Sequence, residues 1–166
     1  MSSATARSSA RRTDASSRER KAARRPKGVP GGAIDEPVRA RCDEPPPPQL
    51  REGIAQFNKG EFFEQHETLE LLWRDTRTPD RGLYHGILQI GVGFHHWRRG
   101  NFHGAAVLLD EGIARLAPFA PRCHGVDVAD LIAGATAARE RLAALGVERM
   151  GDVDVMSVAP RVRLAP

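Results

Sequence analysis

The strongest constraint on the fold is a run of 16 residues, Gly82 to Trp97, that contains no charged side chain. Apolar residues recur in it at intervals of three and four, which is typical of one face of an α-helix. A helix without charged residues must be covered by other elements on most of its sides. The run is too short for a membrane span, and Gln89 and three histidines make it too polar. It therefore predicts the central helix of a folded domain and no membrane association.

Helical periodicity extends to both sides of this run. It begins at Gln49, and glycines and prolines mark the breaks between successive segments. The predicted helices cover residues 49–58, 61–75, 81–99, 101–117 and 127–145. No alternating run is long enough to build a sheet. The sequence therefore predicts an all-α fold, a compact bundle of about five helices.

An internal repeat at an offset of 40 residues indicates how the helices pair. Gly60 and Gly100 occupy equivalent places, each between the end of one helix and an aromatic residue that opens the next. The repeat predicts two stacked αα-hairpins, with the last helix as a C-terminal cap. Gly86 and Gly93 share one face of the uncharged helix. Because each interior glycine costs about 1 kcal/mol relative to alanine, we expect a neighbouring helix to pack closely there.

Composition separates the predicted bundle, residues 49–146, from two tails. Residues 1–48 are rich in Ser, Ala, Arg, Gly and Pro, which predicts a disordered tail. Residues 1–41 hold 11 Lys and Arg against 4 Asp and Glu, so this tail can make weak electrostatic contacts with nucleic acid. Residues 42–166 hold 14 Lys and Arg against 17 Asp and Glu, so specific nucleic-acid binding by the folded domain is not expected. Residues 147–166 are predicted to form an irregular C-terminal tail.

The two cysteines, Cys42 and Cys123, are too few for a disulfide framework and lack a CxxC spacing. The N-terminus has no apolar segment of the kind found in secretory signals. Both features favour a reducing, cytoplasmic location.

A histidine lies in the predicted apolar stripe of the second helix. On a helical wheel His66 falls beside Leu69 and Trp73. Glu70 follows one turn later, within reach of the imidazole. Burying a polar group without a partner costs roughly 2–7 kcal/mol. We therefore expect His66 to be hydrogen-bonded, bound to a ligand or catalytic.

The uncharged helix carries a second polar cluster on one side. Its members are His85, Gln89 and His96. Because buried polar groups are nearly always hydrogen-bonded, we expect this cluster to face His66 and Glu70. The five residues would form one polar island in the core, with Phe63 and Trp73 in the wall of the pocket.

Three interpretations of this island stay open. It is a closed hydrogen-bonded network, a pocket for an organic or anionic ligand, or a site for a divalent metal. His66, Glu70 and His96 supply two nitrogens and one carboxylate, which suits Zn or Fe with an open position. The string from His66 to Glu70 is close to the HExxH signature of zinc proteases, but the second histidine is absent. A metallopeptidase is therefore not expected.

A helical-hairpin module that binds a protein partner is the alternative function, and the 40-residue repeat favours it. A hydrolase is the third, with His66 as general base held by Glu70. The chain contains no G-x-S-x-G, P-loop or CxxC motif that would supply a nucleophile or a phosphate site. The sequence therefore does not favour an enzyme, and it identifies no substrate, cofactor or partner.

Two segments resemble a known family. They are FNKGEFFEQHETLELLWR (residues 57–74) and HHWRRGNFHGAAVLL (residues 95–109). With the Gly-Ile-Leu-Gln-Ile core between them, they resemble the small helical family catalogued as domain of unknown function 309. The most specific positions are His66, Glu67, Leu69, Glu70 and Trp73, followed by Arg99, Gly100, Asn101, Gly104 and Ala105. The resemblance covers residues 50–135 and implies a compact all-helical fold in a bacterial or archaeal cytoplasmic protein. It implies no established activity.

Overall fold

The structure is a computed structural model and describes residues 41–166. Within them the fold is all-α, as predicted, with one small β-hairpin. The helices are α1 (Pro48–Lys59), α2 (Phe62–Asp75), α3 (Arg81–Arg98), α4 (Phe102–Leu116), α5 (Val128–Arg149) and the short α6 (Val155–Val158). Strand β1 (Arg122–Cys123) pairs antiparallel with β2 (Val126–Asp127). The five long helices are those that the sequence predicts.

Both helical hairpins turn at a glycine in the left-handed backbone conformation. Gly60 has φ 77° and Gly100 has φ 74°, values that a residue without a Cβ adopts readily. Their amide N–H groups donate to the carbonyl oxygens of Phe57 and Trp97, so both turns close with the same hydrogen bond. Each long helix packs on the next along the chain, from α1 to α5. The repeat in the sequence is therefore also a repeat in the structure.

Helix α3 is the central helix, with eleven of its 18 residues buried. It crosses α4 where Gly86 meets Gly112. A Cβ on Gly86 would lie 2.7 Å from the Leu116 side chain, and a Cβ on Gly112 would lie 3.1 Å from the Gly86 carbonyl oxygen. Gly93 meets Leu109 of α4 at 3.0 Å in the same way. These distances confirm that Gly86 and Gly93 face a closely packed neighbour. No helix in the described part of the chain has the length and apolar character that a membrane crossing requires.

The chain after Gly146 contains short helical elements, whereas the sequence predicts an irregular tail for residues 147–166. Gly146 has φ 68° and interrupts α5, which then continues to Arg149. A 3-10 turn (Met150–Asp152) and α6 follow. Three side chains of this region are buried: Met150, Val155 and Val162. Such widely spaced apolar residues have no helical or strand period, so the sequence pattern does not reveal that they pack on the bundle.

The C-terminal segment, residues 161–165, runs extended between α1 and β2. The Asn58 side chain donates to the Val162 carbonyl oxygen at 2.9 Å and accepts from the Val162 N–H at 2.8 Å. The amide of Asp127 donates to the Arg163 carbonyl oxygen at 3.0 Å. The side-chain amide of Asn58 therefore pairs with the peptide backbone as a neighbouring strand would.

Residues 41–47 also need a correction, because composition places them in the tail of residues 1–48. Cys42 is buried and forms a disulfide with Cys123, 81 residues further along the chain. This bond contradicts the expectation of a reducing setting, which rests on the fact that neither cysteine lies in a spacing that indicates a pairing. Residues 1–40 lie outside the described residues, so the disorder of the tail and its contacts with nucleic acid stay predictions.

Candidate functional site

His66 lies at the surface of α2 and not in the core. The His66 side chain is 39% exposed and the Glu70 side chain is 40% exposed. The two side chains contact each other across one helical turn, with His66 Nε2 3.6 Å from Glu70 Oε2. The predicted burial of His66 is wrong because the buried stripe of α2 includes Gln65 and Leu69. Neighbouring residues of a helix point about 100° apart, so His66 lies on the edge of that stripe.

Gln65 is the polar residue that α2 places in the core. It is fully buried, and its Nε2 donates to the Ile87 carbonyl oxygen of α3 at 3.2 Å. Its amide packs against Gly91, where no Cβ would fit. Within residues 41–166 its Oε1 has no hydrogen-bond partner. The sequence pattern predicts His66, and not Gln65, at the α2–α3 contact.

A small cavity, the α2–α3 groove, opens beside His66. It is lined by Phe62, Phe63, His66, Val92 and His95, and its volume is about 210 Å³. Phe63, a predicted wall residue, is 56% exposed, and its ring centroid lies 6.4 Å from that of His95. Burial and then the charge of Arg99 lower the pKa of His95, which favours the neutral ring. The groove thus combines an exposed aromatic ring with two imidazoles.

Trp73 and His85 form a second contact between α2 and α3. Their rings stack with centroids 4.2 Å apart, and the Arg81 guanidinium lies 5.0 Å from the Trp73 ring centre. Burial and then the charges of Arg115 and Arg81 lower the pKa of His85 to about 4. His85 is therefore a neutral ring that packs on Trp73, and it is not a partner of Glu70.

The other two members of the predicted island have partners on the α4 side. Gln89 donates to Glu111 Oε2 at 2.8 Å and accepts from Arg115 Nε at 2.8 Å. Nδ1 of His96 lies 3.0 Å from Nδ2 of Asn101. The predicted island is therefore divided into separate groups, because Gln89 and His96 turn toward α4 while His85 stacks on Trp73 of α2.

The hypothesis of a metal bound by His66, Glu70 and His96 is not supported. His66 and Glu70 contact each other, but His96 contacts Asn101. In the part of the chain that the structure describes, no group of three or more His, Cys, Asp or Glu side chains is arranged to hold a metal ion.

A buried polar cluster that the sequence does not predict lies at the start of α3. Asp80 and His124 are both buried, with His124 Nε2 3.1 Å from Asp80 Oδ2. The Tyr84 hydroxyl donates to the same carboxylate oxygen at 3.2 Å, and Arg41 Nε donates to the other at 3.2 Å. Nδ1 of His124 lies 3.1 Å from the Glu44 carbonyl oxygen.

The Asp80 cluster holds three parts of the fold together. Burial alone raises the pKa of Asp80, but hydrogen bonds from Thr78, His124 and Arg41 outweigh it and the pKa is lowered. Burial and then the charge of Asp80 raise the pKa of Tyr84. An ionised Asp80 thus links α3 to the β-hairpin and to Arg41. His124 has φ 47°, which is uncommon outside glycine, but no sequence pattern reveals it. Asp80, Tyr84 and His124 are buried and bond to one another, and only Arg41 reaches the surface, so we interpret the cluster as structural.

The segments that build the α2–α3 groove are also those that match known proteins. Residues 50–108 match the family model described as Domain of unknown function (DUF309). This match confirms the resemblance that the sequence motifs indicate, and we refer to this part of the chain as the DUF309 domain. An uncharacterized protein of Aquifex aeolicus (strain VF5) is 22% identical over 83 residues, which are 49% of this chain and 25% of that protein. The chain therefore matches about a quarter of the length of that relative.

Proposed function

We propose that the DUF309 domain is a non-enzymatic binding module whose α2–α3 groove receives one apolar side chain of a basic partner peptide. The observation that carries the proposal is the cavity beside His66, with the exposed ring of Phe63 among its lining residues. Large apolar side chains exposed next to a concavity are typical of recognition surfaces.

The size of the cavity favours a peptide side chain over a complete small molecule. The cavity has a volume of about 210 Å³, whereas sites for small ligands usually measure about 300–1,000 Å³. A groove between two helices that accepts an apolar anchor is a recurrent way to bind a peptide. The alternative of a small-ligand pocket therefore requires a ligand no larger than one aromatic side chain.

The charge of α2 favours a basic partner, while Arg98, whose guanidinium lies 4.8 Å from the Phe62 ring centre, brings positive charge to the α3 side. Between Phe62 and Asp75 the helix carries four acidic residues and one arginine. Glu64 and Glu67 are exposed, and Glu70 is partly exposed beside His66. A peptide with Lys or Arg next to its apolar anchor complements this surface and is steered toward it.

Three further points bear on the proposal. A hydrolase is less well supported, because His66 contacts Glu70 and no serine, threonine or cysteine of residues 41–166 is hydrogen-bonded to it. The relative from Aquifex aeolicus is about four times as long as the matched region, which suits a domain that serves as a module. A cytoplasmic location is part of the proposal, although the disulfide weighs against it because disulfides are rare in the cytosol.

Fluorescence polarisation with synthetic peptides tests the binding module. The probes are 12-residue peptides with one central Leu, Phe or Trp, flanked by Lys and Arg in one set and by Glu in another. We expect the basic set to bind and the acidic set not to bind. Burial of an apolar side chain contributes about 1.5–3 kcal/mol, so Phe63→Ser should weaken binding by about tenfold or more.

Leu71→Ser is the matched control for this test. Leu71 lies on the same helix, is 61% exposed and does not line the groove, so its loss should leave the affinity unchanged. Equal weakening by both variants, or preference for the acidic peptides, would refute the proposal. Binding of a free aromatic compound such as indole at the same affinity as the peptides would identify a small-ligand site instead.

A further inference from the structure

A second groove lies between α1 and the C-terminal segment and has a volume of about 570 Å³. Four of its lining residues are basic, and none is acidic. The four are Arg51, Lys59, Arg161 and Arg163. The volume falls within the usual range for small-ligand sites, about 300–1,000 Å³.

The concentration of positive charge here does not follow from the composition of the domain. Residues 42–166 contain 14 basic and 17 acidic residues, and four of the 14 line this one groove. Arg163 has a partner, since its Nε lies 3.5 Å from Asp130 Oδ2. Within residues 41–166 no carboxylate pairs with Arg51, Lys59 or Arg161. Like charges in one concave site repel each other and raise the local concentration of anions.

The backbone fixes where these cations lie. Val162 is buried and both of its backbone groups bond to Asn58. Successive side chains of an extended segment point to opposite sides, so Arg161 and Arg163 project together on the side away from Val162, with Cα atoms about 7 Å apart. Arg51 and Lys59 are eight residues apart on α1, or about 12 Å along the helix axis. The cations therefore line both walls of the groove.

We propose that this groove binds a small polyphosphate, either inorganic or carried by a phosphorylated metabolite. Guanidinium groups donate paired hydrogen bonds to phosphate oxygens, and two arginines side by side suit two linked phosphates. Single-stranded nucleic acid is less suitable, because the lining residues include no aromatic ring on which a base could stack. The net negative charge of residues 42–166 also opposes a long polyanion. The site is separate from the α2–α3 groove, and its test is independent of the proposed function.

Isothermal titration calorimetry of the full chain with tripolyphosphate tests this site, at about 0.1 M salt so that weak surface attraction is screened. We expect tripolyphosphate to bind more tightly than sulfate. The double variant Arg51→Gln/Arg161→Gln should lose affinity at least tenfold. The matched control is Arg74→Gln/Arg141→Gln, which removes the same charge from two exposed arginines outside the groove. It should retain the affinity of the unmodified chain.

Each result of the titration either supports or overturns the polyphosphate site. Equal loss in both double variants would mean that net charge alone attracts the anion, and the proposal would be overturned. Absence of binding at millimolar tripolyphosphate, or tighter binding of a 12-nucleotide oligothymidine, would overturn it too. A nucleoside triphosphate that binds as tightly as tripolyphosphate would support recognition of the phosphates alone. Tighter binding of the nucleotide would identify an organic phosphate as the ligand. Circular dichroism of both variants checks that each is folded.

Discussion

Removal of the disulfide between Cys42 and Cys123 should produce a large loss of stability. The bond closes a loop of 81 residues. For a loop of this length, the chain-entropy relation gives about 15 cal/mol/K, or about 4.5 kcal/mol at 25 °C. This is about a third to nine-tenths of a domain's usual stability of about 5–15 kcal/mol. We expect the variant Cys42→Ser/Cys123→Ala to unfold at a urea concentration about 2 M lower than the oxidised chain.

Reduction of the unmodified chain is the control for this experiment. The reduced chain and the double variant should have similar urea midpoints, because both free the same loop. They differ only in that the variant also changes two side chains. Thiol titration of the oxidised chain in denaturant should find no free thiol. A loss smaller than about 1 kcal/mol would contradict the entropic reasoning, and two free thiols would show that the bond does not form.

Three further predictions concern the core and its charged groups. Gly86→Ala should lower the free energy of unfolding in a urea titration by about 1–3 kcal/mol, because its Cβ would lie 2.7 Å from Leu116. Gly151→Ala, whose added Cβ has no atom near it, should be neutral in the same titration. His85 should titrate near pH 4 in an NMR titration, because burial disfavours its charged form, and a midpoint near the ordinary value of about 6.5 would show that the ring is solvated. Asp80→Asn should cost about 3–5 kcal/mol at pH 7. Because the pKa of Asp80 is lowered on folding, its contribution is present above the unfolded pKa and is lost as the pH falls through the folded pKa, so the variant should show a weaker acid dependence of stability than the unmodified chain.

Local signals in the sequence predict most of the helical framework. Gly60 and Gly100 reveal the two turns because a left-handed backbone selects glycine at those positions. Gly86 reveals a close helix contact because an interior glycine without a packing role would only destabilise the helix. These residues act through their own backbone and their immediate neighbours, so one sequence is sufficient to interpret them.

The candidate site was harder to predict because its geometry depends on how α2 is rotated against α3. Gln65 and His66 are adjacent and both polar, and it is Gln65 that enters the core and packs against Gly91 of α3. The Asp80–His124 pair joins residues 44 positions apart, and no periodic pattern links them. The same is true of Asn58 and Val162, which are 104 positions apart. Long-range pairs of this kind become visible only in the folded chain.

NMR mapping of the complex is the most direct test of the α2–α3 groove as the binding surface. A basic 12-residue peptide with a central aromatic residue would be titrated into the ¹⁵N-labelled chain. The largest shift changes should occur at the groove residues Phe63, His66, Val92 and His95, with little change at the exposed Leu71. Changes confined to the groove between α1 and the C-terminal segment, or spread evenly over the surface, would contradict the proposed binding site.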